Sequence, residues 1–244
     1  MKDALVTAQD GVQLHTYTVN QKPSSPLVVL AHGYRGQASH MSKYIDHFLR
    51  KGYNALAIHL RGHGQSHGKY IGLGALDKDD IQLWIKWITS QYHETQIILF
   101  GSSMGGATVL LYGGYYGDNI SAIISDSSPT SMKLMIQRIL KHKLGKLSKL
   151  LVPVFDYVLA RKAGYCMNDA SPISVIGNIS VPLLIIHGKS DGFVPSGMAS
   201  ELAAKLPSSE LLLVEGAEHV HSIDTAPVLY WATIDRFLGI QEEV

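Results

Sequence analysis

Cysteine is nearly absent. Cys166 is the only one in 244 residues, so no disulfide can form within the chain and the fold must be held by its core. A lone thiol also fits a reducing compartment. Charge is sparse: 17% of residues are charged and the formal net charge is +1, which argues against a nucleic-acid partner. No apolar run approaches the roughly 20 residues of a membrane span. The opening Met1-Lys2-Asp3-Ala4-Leu5 soon turns polar and lacks an apolar core of signal-peptide length, so a cytoplasmic protein is expected. No repeat, low-complexity tract or phosphate-binding Gly-rich loop in a credible context is present, and no His-Glu-x-x-His occurs. His59, His63 and His67 stand four apart, but Gly62, Gly64 and Gly68 make this a loop, so the spacing places no shared helix face there. Neither a nucleotide cofactor nor a metal is expected.

Apolar residues are plentiful, at 46%, enough for the core of one large domain or of one domain with an insert. Leu5 to Ala8 and Val12 to Val19 alternate around Gln9-Asp10-Gly11, which predicts a β-hairpin. Continuous apolar runs follow at Leu27–Ala31, Ala55–Ile58, Ile97–Phe100, Ile120–Ile124, Leu183–Ile186 and Leu211–Val214. They are too short for helices and fit parallel strands covered on both faces. Helical spacing is expected over Ser39–Lys51, Asp77–Tyr92, Met104–Tyr116, Ser196–Leu206 and Ala226–Leu238. Alternating strands and helices predict a mainly parallel sheet with right-handed crossovers.

One stretch breaks the alternation. From Ser127 to about Pro172 no strand is expected; Ile136, Ile139, Leu140, Leu144, Leu147 and Leu151 mark a helix face that Gly145 is placed to divide and Pro153 to interrupt. This predicts a helical insert, with one apolar face over the mouth of the site.

The chemistry concentrates at a few loops. Ile97–Phe100 runs into Gly101-Ser102-Ser103-Met104-Gly105-Gly106 and then a helix: a strand, G-x-S-x-G, helix pattern that exposes Ser103 at a sharp turn. A serine hydroxyl needs a base, and the base an orienting acid. Behind the same turn type, acid and histidine follow in that order after later strands. Asp191 lies in the loop after Leu183–Ile186, and His219 in the loop after Leu211–Val214. Loops at one end of a parallel sheet converge. Glu215, Glu218 and His221 are rival groups, and Ser102 is off register by one. The loop His32-Gly33-Tyr34-Arg35-Gly36 follows the first core strand. It nominates the Tyr34 backbone N–H, with that of Met104 after the nucleophile, as donors to a substrate oxyanion.

These segments resemble the α/β-hydrolase superfamily, in particular its bacterial capped serine esterases and acylglycerol-lipase-like or peptidase-like members. The matching residues are His32-Gly33-Tyr34, Arg61-Gly62-His63-Gly64-Gln65-Ser66, Gly101 to Gly106, Ser171-Pro172-Ile173, His187-Gly188 with Asp191, and Gly216-Ala217-Glu218-His219. One departure is His59, where such chains often carry Asp, which leaves the partners of Arg61 open. The resemblance implies an α/β-hydrolase fold: a central, mainly parallel sheet flanked by helices, with an N-terminal antiparallel hairpin. It implies a core domain over 1–126 and 173–244 and a helical cap, or lid, over 127–172. It implies a serine esterase acting on a small-molecule acyl ester, with Ser103, His219 and Asp191 as catalytic residues and no cofactor. Thioesterase and peptidase or amidase activities stay open, as do a haloperoxidase or C–C hydrolase and a ligand-binding protein without catalysis. Ser127 to Tyr165 carries eight basic residues and one acid, Asp156, which leaves peripheral contact with an anionic substrate or membrane surface open. The oligomeric state is left open.

Overall fold

A computed structural model describes residues 2–19, 24–92 and 96–240. The ends of the expected core domain, Met1 and residues 241–244, lie outside the described residues. The described residues form eight strands and eight α-helices: β1 (Lys2–Thr7), β2 (Gln13–Val19), β3 (Leu27–Ala31), α1 (Ser42–Arg50), β4 (Asn54–Ile58), α2 (Asp77–Gln91), β5 (Ile97–Ser102), α3 (Met104–Tyr115), β6 (Ala122–Asp126), α4 (Met132–Leu144), α5 (Ser148–Ala163), β7 (Leu183–Gly188), α6 (Gly197–Lys205), β8 (Glu210–Val214), α7 (Ser222–Thr225) and α8 (Pro227–Leu238).

The strands make one sheet in the order β1-β2-β4-β3-β5-β6-β7-β8. The hairpin pairs antiparallel, β2 joins β4 antiparallel, and all later pairings are parallel. The fully apolar strands are the central ones because both of their faces are covered. Along β3, Leu27, Val29 and Ala31 turn to a core with Trp84 and Ile85 of α2 and Val109 of α3, while Val28 and Leu30 turn to Phe48 of α1 and Tyr230 of α8. Alternation of side chains across a strand requires this split. All five residues of β3 are fully buried. Truncating such a side chain costs about 2–5 kcal/mol.

Most expected elements form with ends shifted by one or two residues. The first helix instead begins as a 3-10 turn, Ala38–Met41, before α1. Gly145, at φ +55°, does divide the expected insert helix into α4 and α5. Pro153 does not interrupt it: α5 runs through this exposed position. The proline stands in the second turn of α5, where its missing N–H removes one hydrogen bond of the ladder without ending the helix.

The insert meets the loop of the expected acid at one point, where Arg138 donates to the Gly192 carbonyl at 3.5 Å. No residue of 127–172 lines the cleft described below. The insert packs on the loop before α2: Tyr165 and Ala170 join Ala75, with Leu73, Leu76, Met132 and Leu159 around them, and the Tyr165 hydroxyl donates to the Ile71 carbonyl at 2.6 Å. Tyr165 and Ala170 are both buried, so apolar burial at the foot of α4 and α5 sets their seat.

Candidate active site

Ser103 sits between β5 and α3 with φ 55° and ψ −115°, a strained conformation for a residue with a side chain. The turn closes because its neighbours lack side chains. A Cβ on Gly101 would stand 2.2 Å from the Gly105 carbonyl oxygen, and one on Gly105 would stand 2.1 Å from that of Ala31. The Ser103 N–H donates to the Asp126 carbonyl at 2.8 Å, tying the turn to the end of β6.

Three sheet loops then converge. Ser103 Oγ lies 2.9 Å from His219 Nε2, and His219 Nδ1 lies 2.6 Å from Asp191 Oδ2. Nδ1 faces a carboxylate and therefore carries the ring proton, which leaves Nε2 as the acceptor for the Ser103 hydroxyl. Asp191 is held on every side. Its Oδ1 accepts the Phe193 and Val194 N–H groups at 2.9 and 2.8 Å, and its Oδ2 also faces His187 Nε2 at 3.2 Å. Burial pushes this carboxyl upward, but the hydrogen bonds from His187 and His219 outweigh it and hold Asp191 well below the usual carboxylate range. Asp191 is thus an anion fixed against one edge of an imidazole.

None of the rival groups joins this line, although Ser102 and His221 also border the cleft described below. His221 Nδ1 turns to the His219 carbonyl at 2.8 Å, Glu215 pairs with Lys189, and Glu218 is exposed. Ser102 ends β5 and is buried.

Gly33 and Tyr34 line a cleft of about 500 Å³ together with Ser103, His219 and Phe193. The Gly33 carbonyl accepts His32 Nδ1–H at 2.7 Å and the Gly36 N–H at 2.9 Å. A trans peptide points the next N–H the opposite way, so pinning this carbonyl also fixes the direction of the Tyr34 N–H. Met104 is the first residue of α3, where an N–H has no acceptor within the helix.

Several residues that hold this geometry were given no role by the sequence reading. His32 Nε2 accepts the Leu60 N–H and His63 Nε2 accepts the Arg35 N–H, each at 3.1 Å. Burial, then the neighbouring histidines, push His32 down to about 4; burial lowers His63 too. Both rings are therefore neutral at pH 7, as their acceptor role demands. Asp126, a carboxylate at the end of β6, is buried and accepts the Tyr230 and Ser127 hydroxyls at 2.8 Å each. Ser127 Oγ in turn accepts the Val220 N–H at 3.2 Å, anchoring the loop that carries His219. Arg61, whose partners were open, forks onto Asp80 at 2.7 and 2.6 Å and reaches Asp10 at 2.7 Å. The sequence signal for His63 and His187 was their place in the matched segments; nothing local marked Asp126.

This sheet order, with a strained serine after the central strand and a histidine and carboxylate from later loops, defines an α/β hydrolase. Residues 22–173, more than half of the chain, match the family described as serine aminopeptidase, S33, and the protein belongs to it. The Bacillus subtilis protein YqkD is 29% identical over 231 residues, 93% of this chain and 76% of that protein. A monoacylglycerol lipase of Mycolicibacterium smegmatis is 25% identical over 217 residues, 77% of this chain and 78% of that protein. The structure of the Pyrococcus furiosus esterase Pf2001 superimposes with a TM-score of 0.79 at 26% identity, covering 98% of this chain and 91% of that chain.

Proposed function

We propose that the protein is a serine hydrolase of small-molecule carboxylic esters. The observation that carries this reading is the continuous chain from Ser103 Oγ through His219 to Asp191, at 2.9 and 2.6 Å. In this mechanism Ser103 Oγ attacks the ester carbonyl carbon and its proton passes to His219 Nε2. The negative charge moves to the carbonyl oxygen, which the Tyr34 and Met104 N–H groups receive; one such donor is worth about 3–4 kcal/mol in the transition state. Collapse breaks the bond to the leaving alcohol, which takes the proton from His219. Water then attacks the acyl-Ser103, again giving a proton to His219, and the acid departs with Ser103 restored. Asp191 keeps the imidazole in the required tautomer and stabilises its cationic form.

An ester is favoured over the N-terminal peptide bond that the family description names. An aminopeptidase must meet a substrate ammonium with a carboxylate. The acid lining this cleft is Asp224, and it is already paired with Lys43. The names of the relatives, an esterase and a monoacylglycerol lipase, point the same way. The test is a panel of p-nitrophenyl esters of increasing acyl length set against matching p-nitroanilides, aminoacyl anilides and thioesters. Preferred turnover of esters is expected. Faster cleavage of the aminoacyl anilides would replace the reading with a peptidase.

A further inference from the structure

We infer that the α4–α5 hairpin is a docking surface for anionic lipid membranes. Its seat on the body of the protein uses only part of its apolar surface. In α5, Ser148 and Val152 are buried and Leu159 is partly so, at helical spacing along one stripe. Leu147, just before α5, and Leu150, Leu151, Val154 and Val158, around the rest of its circumference, stay exposed, with Leu150 at 71%. With Leu134, Ile139, Leu144, Phe155 and Tyr157, ten large apolar side chains between 134 and 158 are each at least 36% exposed. An apolar patch of that density marks an interaction surface.

Charge identifies the occupant. The same segment carries Lys133, Arg138, Lys141, Lys143, Lys146, Lys149, Arg161 and Lys162, and among the described residues none of them has a carboxylate partner. The one acid, Asp156, is turned inward and accepts the Met167 N–H at 2.7 Å. Four of the lysines flank the turn between α4 and α5, beside Leu144, Leu147 and Leu150. Apolar side chains that enter the acyl boundary, surrounded by cations at headgroup height, are what an anionic bilayer surface binds. A second copy fits poorly, since a two-fold contact would set these cations against one another.

The test is flotation of the full chain with vesicles of phosphatidylcholine, alone or mixed with phosphatidylglycerol. Partition onto the mixed vesicles is expected to exceed that onto phosphatidylcholine at least tenfold at roughly 0.1 M salt. It should fall at about 1 M, where the Debye length shrinks from roughly 10 to 3 Å. The triple variant Lys141→Glu, Lys143→Glu, Lys146→Glu and a second, Leu147→Ser, Leu150→Ser, Val154→Ser, should each lose at least tenfold in partition with an unchanged thermal midpoint, all six sites being exposed. Ser103→Ala should float as the wild type does, so binding is judged apart from the proposed reaction. Failure of the wild type to float, or flotation of both triple variants at the wild-type level, would overturn the inference. So would sedimentation showing a dimer that the leucine variant dissolves.

Discussion

His63 Nε2 accepts the Arg35 N–H at 3.1 Å, while its Nδ1–H donates to the Arg61 carbonyl at 3.0 Å. One neutral ring thus ties the loop after β4 to the loop after β3, whose Tyr34 N–H faces the cleft in the proposed reaction. Arg35 stands at φ +58°, a strained position that this bond helps to hold. His63→Leu is expected to lower kcat ten- to a hundredfold, consistent with about 1–3 kcal/mol for a lost acceptor, with a smaller change in KM. His63→Gln, which restores an acceptor, should recover part of it. Unchanged kcat in His63→Leu would show that the tie has no bearing on catalysis.

The three groups in line should be unequal to their neighbours. Ser103→Ala should abolish labelling by a fluorophosphonate probe while Ser102→Ala retains it. His219→Ala should lose several orders of magnitude in kcat and His221→Ala far less, since His221 turns back to the His219 carbonyl. Asp191→Asn should cost on the order of 10⁴ in kcat by favouring the wrong tautomer. A reversed ranking of the two histidines in steady-state assays would remove His219 from the role of base.

Acid should destabilise the fold through the buried histidines. Burial, then His15 and His63, push His59 down to about 4, and its Nε2 has no partner. The unfolded chain takes up this proton near 6.5, so His59 contributes full stability above that pH. That contribution is lost progressively as pH falls from about 6.5 to about 4. His59→Leu should remove on the order of 2 kcal/mol of the difference between urea-unfolding free energies at pH 7 and pH 4.5. An equal slope in both proteins would mean that His59 is protonated without cost.

Asp77 should act in the opposite sense. Burial, then the charge of Asp80, raise it to about 7, above the 3.8 of an ordinary aspartate. The folded chain therefore binds this proton more tightly than the unfolded one. Stability from Asp77 is present below about 4 and lost as pH rises toward 7. Asp77→Asn keeps an acceptor for the Gly74 N–H, which the aspartate receives at 2.7 Å. Relative to wild type, this variant should gain on the order of 2 kcal/mol between pH 5 and pH 8. Urea melts at the two values check this, and a constant difference would place the Asp77 proton elsewhere.

Much of this was decided locally. The apolar runs from Leu27–Ala31 to Leu183–Ile186 are strands because no other element buries five or six consecutive apolar residues so economically. Gly101 and Gly105 announce the turn around Ser103 because a Cβ at either place collides with backbone. Asp191 and His219 were readable because strand order sets where loops emerge. Steric limits and side-chain periodicity act between near neighbours, so a linear sequence displays them.

Tertiary structure alone decided the rest. The Arg61 fork joins residues 19 and 51 positions away, Asp80 and Asp10. The tie from His63 to Arg35 spans 28 residues, and Asp126 meets Tyr230 across 104. The hairpin of α4 and α5 carries apolar residues on more than one side, and its pattern could not say which would be buried; the packing of Tyr165 and Ala170 on Ala75 chose. Hydrogen-bond partners, ring tautomers and the exposed face of a doubly apolar helix depend on groups distant in sequence, and only the folded chain brings those within a few ångströms.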